Sequence, residues 1–126
     1  MAKLILDATG DKIFFMLINN KDIYKCSHEN SKTNYEKLVI LINKFLNKNN
    51  YDFSKIKSIY INSGPGSFAG IRNSLSVVKA LYLTRKIQFY CFSLQDFKNI
   101  DKFRFEDVPK LCKKNGIKKN FLKLIY

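Results

Sequence analysis

The sequence has no tryptophan, one histidine (His28), three cysteines, two prolines and five glycines in 126 residues. A single histidine cannot supply the histidine ligands of a catalytic zinc site. Cys26, Cys91 and Cys112 are odd in number and far apart, with no Cys-x-x-Cys pair. That spacing excludes a disulfide framework and a cysteine zinc site, and it suits the reducing cytoplasm. No run of 18 apolar residues exists, so no transmembrane helix is expected, and the short apolar start broken by Asp7 is a first strand and not a signal peptide. Acids are scarce: 10 Asp and Glu against 23 Lys and Arg leave a net charge of +13. Arginine is scarcer still, at 3 against 20 lysines.

What is present is a lysine-rich chain of one-domain length, able to bury a core without staples. Lysine-rich surfaces attract phosphate backbones without reading sequence, whereas specific readout favours arginine forks. The basic balance therefore admits a nucleic-acid-binding module. Lys, Asn, Ile and Tyr also share A- and T-rich codons, so coding composition is an equal explanation of the charge.

The hydrophobic pattern sets out an α/β fold. Leu4-Ile5-Leu6 closes on Asp7 as a central strand, and turn clusters at Asp11-Lys12 and Asn19 to Asp22 bound further strands over 13–18 and 23–27. Two tight connections in succession predict an antiparallel meander. From Thr33 to Lys48 the period becomes helical: Tyr35, Leu38, Val39, Leu41, Ile42, Phe45 and Leu46 share one arc, with Ile40 alone among polar residues. A fourth strand over 57–62, a second helix over 71–85 and a fifth strand over 88–93 follow, with Leu94 opening a short helix. The second helix has a core stripe (Ile71, Leu75, Val78, Leu81, Tyr82) and a face of mostly short side chains (Asn73, Ser76, Ala80, Leu83). The order is β-β-β-α-β-α-β in a five-stranded mixed sheet. Residues 1–98 are expected to form this lobe. Residues 99–126 form a short basic extension, with a short helix from Val108, a break at Gly116, and a strand or helix over 121–126.

The most specific string is Ser63 to Arg72, Ser-Gly-Pro-Gly-Ser-Phe-Ala-Gly-Ile-Arg. It joins a β-branched strand directly to a helix, an arrangement that presents backbone amides to a phosphate or simply makes a tight structural turn. Gly64 to Arg72 closely resembles the Gly-Pro-Gly-Ser-Phe-Thr-Gly-Leu/Val-Arg signature of the TsaB family, whose members help make threonylcarbamoyladenosine beside the tRNA anticodon. Leu4 to Thr9 resembles the family's first strand, and residues 52–56 its entry into the fourth. The resemblance covers roughly residues 1–97.

The resemblance implies one lobe of the actin-like (ASKHA) superfamily. It implies a non-catalytic, cytoplasmic scaffold that needs no cofactor. Its partners would be the catalytic subunit TsaD, the ATPase TsaE and, indirectly, tRNA, with a homodimer as the alternative assembly of the isolated chain. Asp7 stands where a superfamily member would hold magnesium, with Thr9-Gly10 turning into the hairpin that would meet phosphate, and Gly64 and Gly66 lie in the glycine-rich loop that could present amides to it. These are the nucleotide-site candidates of a second alternative, a degenerate kinase-like protein. A second lobe needs about a hundred further residues and only 28 follow position 98, so half a cleft and a relic Asp7 capping the hairpin turn are expected. Ser67 lacks the Gly-x-Ser-x-Gly frame of a nucleophile elbow and is expected to cap the helix or brace the turn. Ala69 stands in for the family's threonine, removing a side-chain cap of about 0.5–2 kcal/mol. The family pairs with TsaD through helices of this lobe, which implies Tyr35, Val39, Ile40, Asn73, Ser76, Ala80 and Leu83 as the interface.

Overall fold

Alternation along the first strand places it between two apolar layers. The computed structural model describes residues 1–97, 100 and 102–122. β1 (Ala2–Asp7) is followed by β2 (Lys12–Asn19) and β3 (Asp22–Glu29), and the three form an antiparallel meander. α1 (Lys32–Glu36) and α2 (Leu38–Lys48) lead through a 3-10 turn at Phe53–Lys55 into β4 (Ile56–Asn62). α3 (Phe68–Arg85) then crosses to β5 (Gln88–Phe92), and α4 (Val108–Lys114) comes last. The sheet order is β3-β2-β1-β4-β5, with β1, β4 and β5 parallel. This is the mixed five-stranded lobe that the periodicity predicts.

Ala2, Leu4 and Leu6 of β1 and Ile13, Phe15 and Leu17 of β2 face the helices α2 and α3. Ile5, Met16, Tyr60 and Phe92 project from the other face, where Phe97, Val108 and Cys112 bury them. The basic extension therefore carries part of a second core. The expected boundary at residue 98 and the end of the expected final element, 123–126, lie outside the described residues.

The single helix expected over 33–48 is broken at Lys37, whose backbone leaves the helical region at φ −107°, ψ 16°. The break separates two anchoring demands. α1 is held by its Ser31 cap and by Asn34 Nδ2 donating to the Glu29 carbonyl at 2.7 Å. α2 turns Leu38, Ile42, Phe45 and Leu46 inward, leaving Val39, expected on the core arc, 44% exposed. α3 opens earlier than expected because Ser67 caps it, accepting from Gly70 N at 3.2 Å. Ala69 lies inside the first turn, so its methyl removes no cap.

Candidate functional site

The ends of β1 and β4 and the start of α3 converge on the signature loop. Both oxygens of the Asp7 carboxylate are used internally. Oδ1 accepts from Thr9 N at 2.9 Å and Thr9 Oγ1 at 2.6 Å, and Oδ2 accepts from Asn62 Nδ2 at 3.1 Å. Asn62 Oδ1 in turn accepts from Gly64 N at 3.1 Å. Asp7 thus ties the first hairpin to the loop through a buried asparagine.

Backbone geometry explains the glycines. Gly64 has φ 119°, in a region that side chains disfavour. A Cβ on Gly66 would lie 2.4 Å from the Thr9 carbonyl oxygen, and one on Gly70 would lie 2.0 Å from that of Ala8. The loop is pressed onto the hairpin turn, and Ser67 N donates to Thr9 O at 2.8 Å to hold it there. Ser67 Oγ also lies 3.0 Å from Tyr35 Oη, linking the loop to α1. Periodicity had no means of finding Asn62 or the Tyr35–Ser67 contact, since each joins residues far apart in the chain, whereas the Asp7–Thr9 contact is local, two residues apart.

The residues expected at an interface divide in two. Val39, Ile40, Ser76, Ala80 and Leu83 are exposed, Leu83 at 62% and Ile40 at 53%. Tyr35 and Asn73 are half-buried; Tyr35 reaches Ser67, and Asn73 Nδ2 donates to Ala69 O at 2.8 Å. Phe68, which the pattern did not single out, is 55% exposed at the start of α3, with the Arg72 guanidinium 6.0 Å from its ring centre.

His28 sits on β3 with its ring 5.8 Å from that of Phe15. Cys26 is half-buried, and Cys91 and Cys112 are buried. Burial pushes the Cys112 thiol up to about 12, so it stays protonated at neutral pH. Among the described residues no group of three or more His, Cys, Asp or Glu is placed to hold a metal ion.

A family model described as "TsaD: tRNA N6-adenosine threonylcarbamoyltransferase" matches residues 28–94, a little over half of the chain. The chain belongs to this family. Its TsaB character appears in a curated relative, "tRNA threonylcarbamoyladenosine biosynthesis protein TsaB" of Buchnera aphidicola subsp. Schizaphis graminum (strain Sg). The two are 28% identical over 90 residues, which cover 71% of this chain and 43% of that protein. Two solved structures share the fold at 20% identity, covering 73% of this chain and 43% of each of theirs. They are YeaZ from Pseudomonas aeruginosa, with a TM-score of 0.66, and an uncharacterized protein with similarity to peptidase YEAZ from Pseudomonas aeruginosa, at 0.67. The TsaB-family chain described here therefore spans less than half the length of the relatives it matches. No helix among its described residues is long and apolar enough to cross a membrane.

Proposed function

We propose that this TsaB-family chain is a non-catalytic scaffold in threonylcarbamoyladenosine modification of tRNA, acting by binding a TsaD-like catalytic subunit. The observation that carries the reading is the outward face of α3. Ser76 and Ala80 are exposed beside Leu83, so a partner helix could come close to the α3 backbone and bury a large apolar side chain that now faces water. Val39 and Ile40 of α2 add exposed apolar surface, and Lys37, Lys44 and Lys79, also exposed, would make a polar rim. The inward ties of Asp7 support a structural role for that carboxylate and weigh against the kinase-like alternative. A TsaE-like ATPase would join through the same complex, and the isolated chain is expected to be a monomer or a homodimer using this face.

The test is co-purification with a TsaD-like protein, followed by titration of the complex. Ala80→Arg should weaken binding at least about thirtyfold, the size of a hot-spot loss, while the melting temperature of the isolated chain stays unchanged. If Ala80→Arg combined with Leu83→Asp leaves the affinity unchanged, the partner does not dock on this face.

A further inference from the structure

The signature loop follows the C-terminal end of β4. At the opposite end of the sheet, where β1 and β4 begin and α3 ends, lies a groove of about 460 Å³. Its cations are Lys57, Arg85 and Lys86, its hydroxyl is Ser54, and its floor is the buried pair Ile56 and Ile87. No carboxylate lines it. The acid nearest in sequence, Asp52, is occupied as the cap of the 3-10 turn, accepting from Ser54 N at 2.9 Å and from Ser54 Oγ. A second groove, of about 500 Å³, shares Lys57 and adds Lys3 and Lys110. One of its two carboxylates, Asp107, is already paired with Arg104 at 3.2 Å. Among the described residues the ion pairs are Lys12–Glu29 and Arg104–Asp107, and neither uses a cation of these grooves.

We infer that this end of the sheet is a docking surface for the phosphate backbone of double-helical RNA. Unpaired cations lining a groove without acids complement a polyanion, and lysine recognises phosphate as a point charge without reading bases. The one aromatic ring in the groove, Phe53, is buried, with the Arg85 guanidinium 5.3 Å from its centre. Single strands bind on exposed aromatic platforms, and this groove offers none. A backbone held in a preformed helix is the occupant that fits. Lys86 adds a second argument. It occupies the C-cap of α3 at φ 61°, where glycine is the low-energy residue, so a cation is held there at a backbone cost. The choice of RNA over DNA rests on the tRNA-modification reading above.

Binding of the full chain to bulk tRNA, to an RNA duplex of about 20 base pairs and to an unpaired oligouridine, followed by fluorescence anisotropy across salt concentrations, tests this. With three phosphates neutralised, duplex affinity should fall roughly fortyfold between about 50 and 200 mM salt, a slope near −2.7 in log–log form. The variant Lys57→Gln, Arg85→Gln, Lys86→Gly should lose most of that slope. A charge-matched control, Lys25→Gln, Lys32→Gln, Lys48→Gln, at exposed positions outside both grooves, should keep it. An equal loss in the control, tighter binding of the unpaired oligomer, or no duplex binding at low salt overturns the assignment. Capture by phosphatidylserine vesicles in place of RNA overturns it as well. If the salt slope persists while a TsaD-like protein fails to bind, the scaffold reading falls and the groove stands.

Discussion

Two glycines of similar appearance in the sequence carry opposite demands. Gly70 lies on the first turn of α3 with its Cα against the Ala8 carbonyl, where an added methyl would sit 2.0 Å from the oxygen. The obstacle is backbone at the end of a central strand and has no rotamer to change. Gly70→Ala should cost about 3 kcal/mol or more and lower the melting temperature by roughly 10 °C. Gly10, in the hairpin turn, has nothing within 4 Å of its would-be Cβ. Gly10→Ala should change the melting temperature by no more than a degree or two, within the usual ±0.5 kcal/mol for an unconstrained surface site. Thermal melts of the two variants check both. Equal melting temperatures would mean that the loop does not press on the hairpin.

Among the elements, α3 is instructive because its two ends are finished differently. The N-terminus has a serine cap at Ser67, whereas the C-terminus places Lys86 in the left-handed region with Lys86 N donating to Tyr82 O at 3.1 Å. Lys86→Gly relieves a conformation that costs a side-chain-bearing residue about 1 kcal/mol, so it should raise the melting temperature by about 3–5 °C, read by calorimetry. A fall would mean that the lysine stem itself packs. The helix also marks where pattern reading stops. Its core stripe of Ile71, Leu75, Val78, Leu81 and Tyr82 is legible at 100° per residue; the first four are buried and Tyr82 is half-buried against the core. The earlier start at Phe68 is not, because no periodic residue requires it; the Ser67 hydroxyl decides the boundary. The break at Lys37 is hidden for a related reason. Apolar spacing runs smoothly from Tyr35 to Leu38, while the hydrogen bond that binds Tyr35 to Ser67 comes from the far side of the loop. The seven expected interface residues follow from the family resemblance and from helix faces, neither of which can see that Tyr35 and Asn73 spend their polar atoms inside the lobe.

At the scale of the whole molecule, one sheet serves two cores. Val108 is 0% exposed and Cys112 1%, both packed against Ile5, Met16 and Tyr60 on the face away from α2 and α3. The contribution of this segment is hard to read in sequence because Val108, Leu111 and Cys112 make only one short stripe among lysines. Val108→Asp would bury an unpaired carboxylate and should cost about 3–5 kcal/mol, a drop of roughly 10–20 °C or loss of soluble protein. Val39→Asp, at a position 44% exposed, should leave the melting temperature within about 2 °C of the parent. Similar behaviour of the two variants would mean that the second core contributes little to stability.

The pairing of β1 with β4 has a consequence for how the chain reaches this state. Leu4 lies beside Ile59 and Ile5 beside Tyr60 in the parallel register, partners that α1, α2 and both hairpin connections separate along the chain. The meander of β1, β2 and β3 closes through short turns and can form early, whereas a contact between distant segments must first overcome the entropy of closing a long loop. Until β4 arrives, β1 is an open edge whose apolar residues point to both faces. An unpaired apolar edge of this kind invites a strand from another molecule. On a ribosome, β1 emerges long before its neighbour, so newly made chains pass through an interval in which aggregation competes with folding.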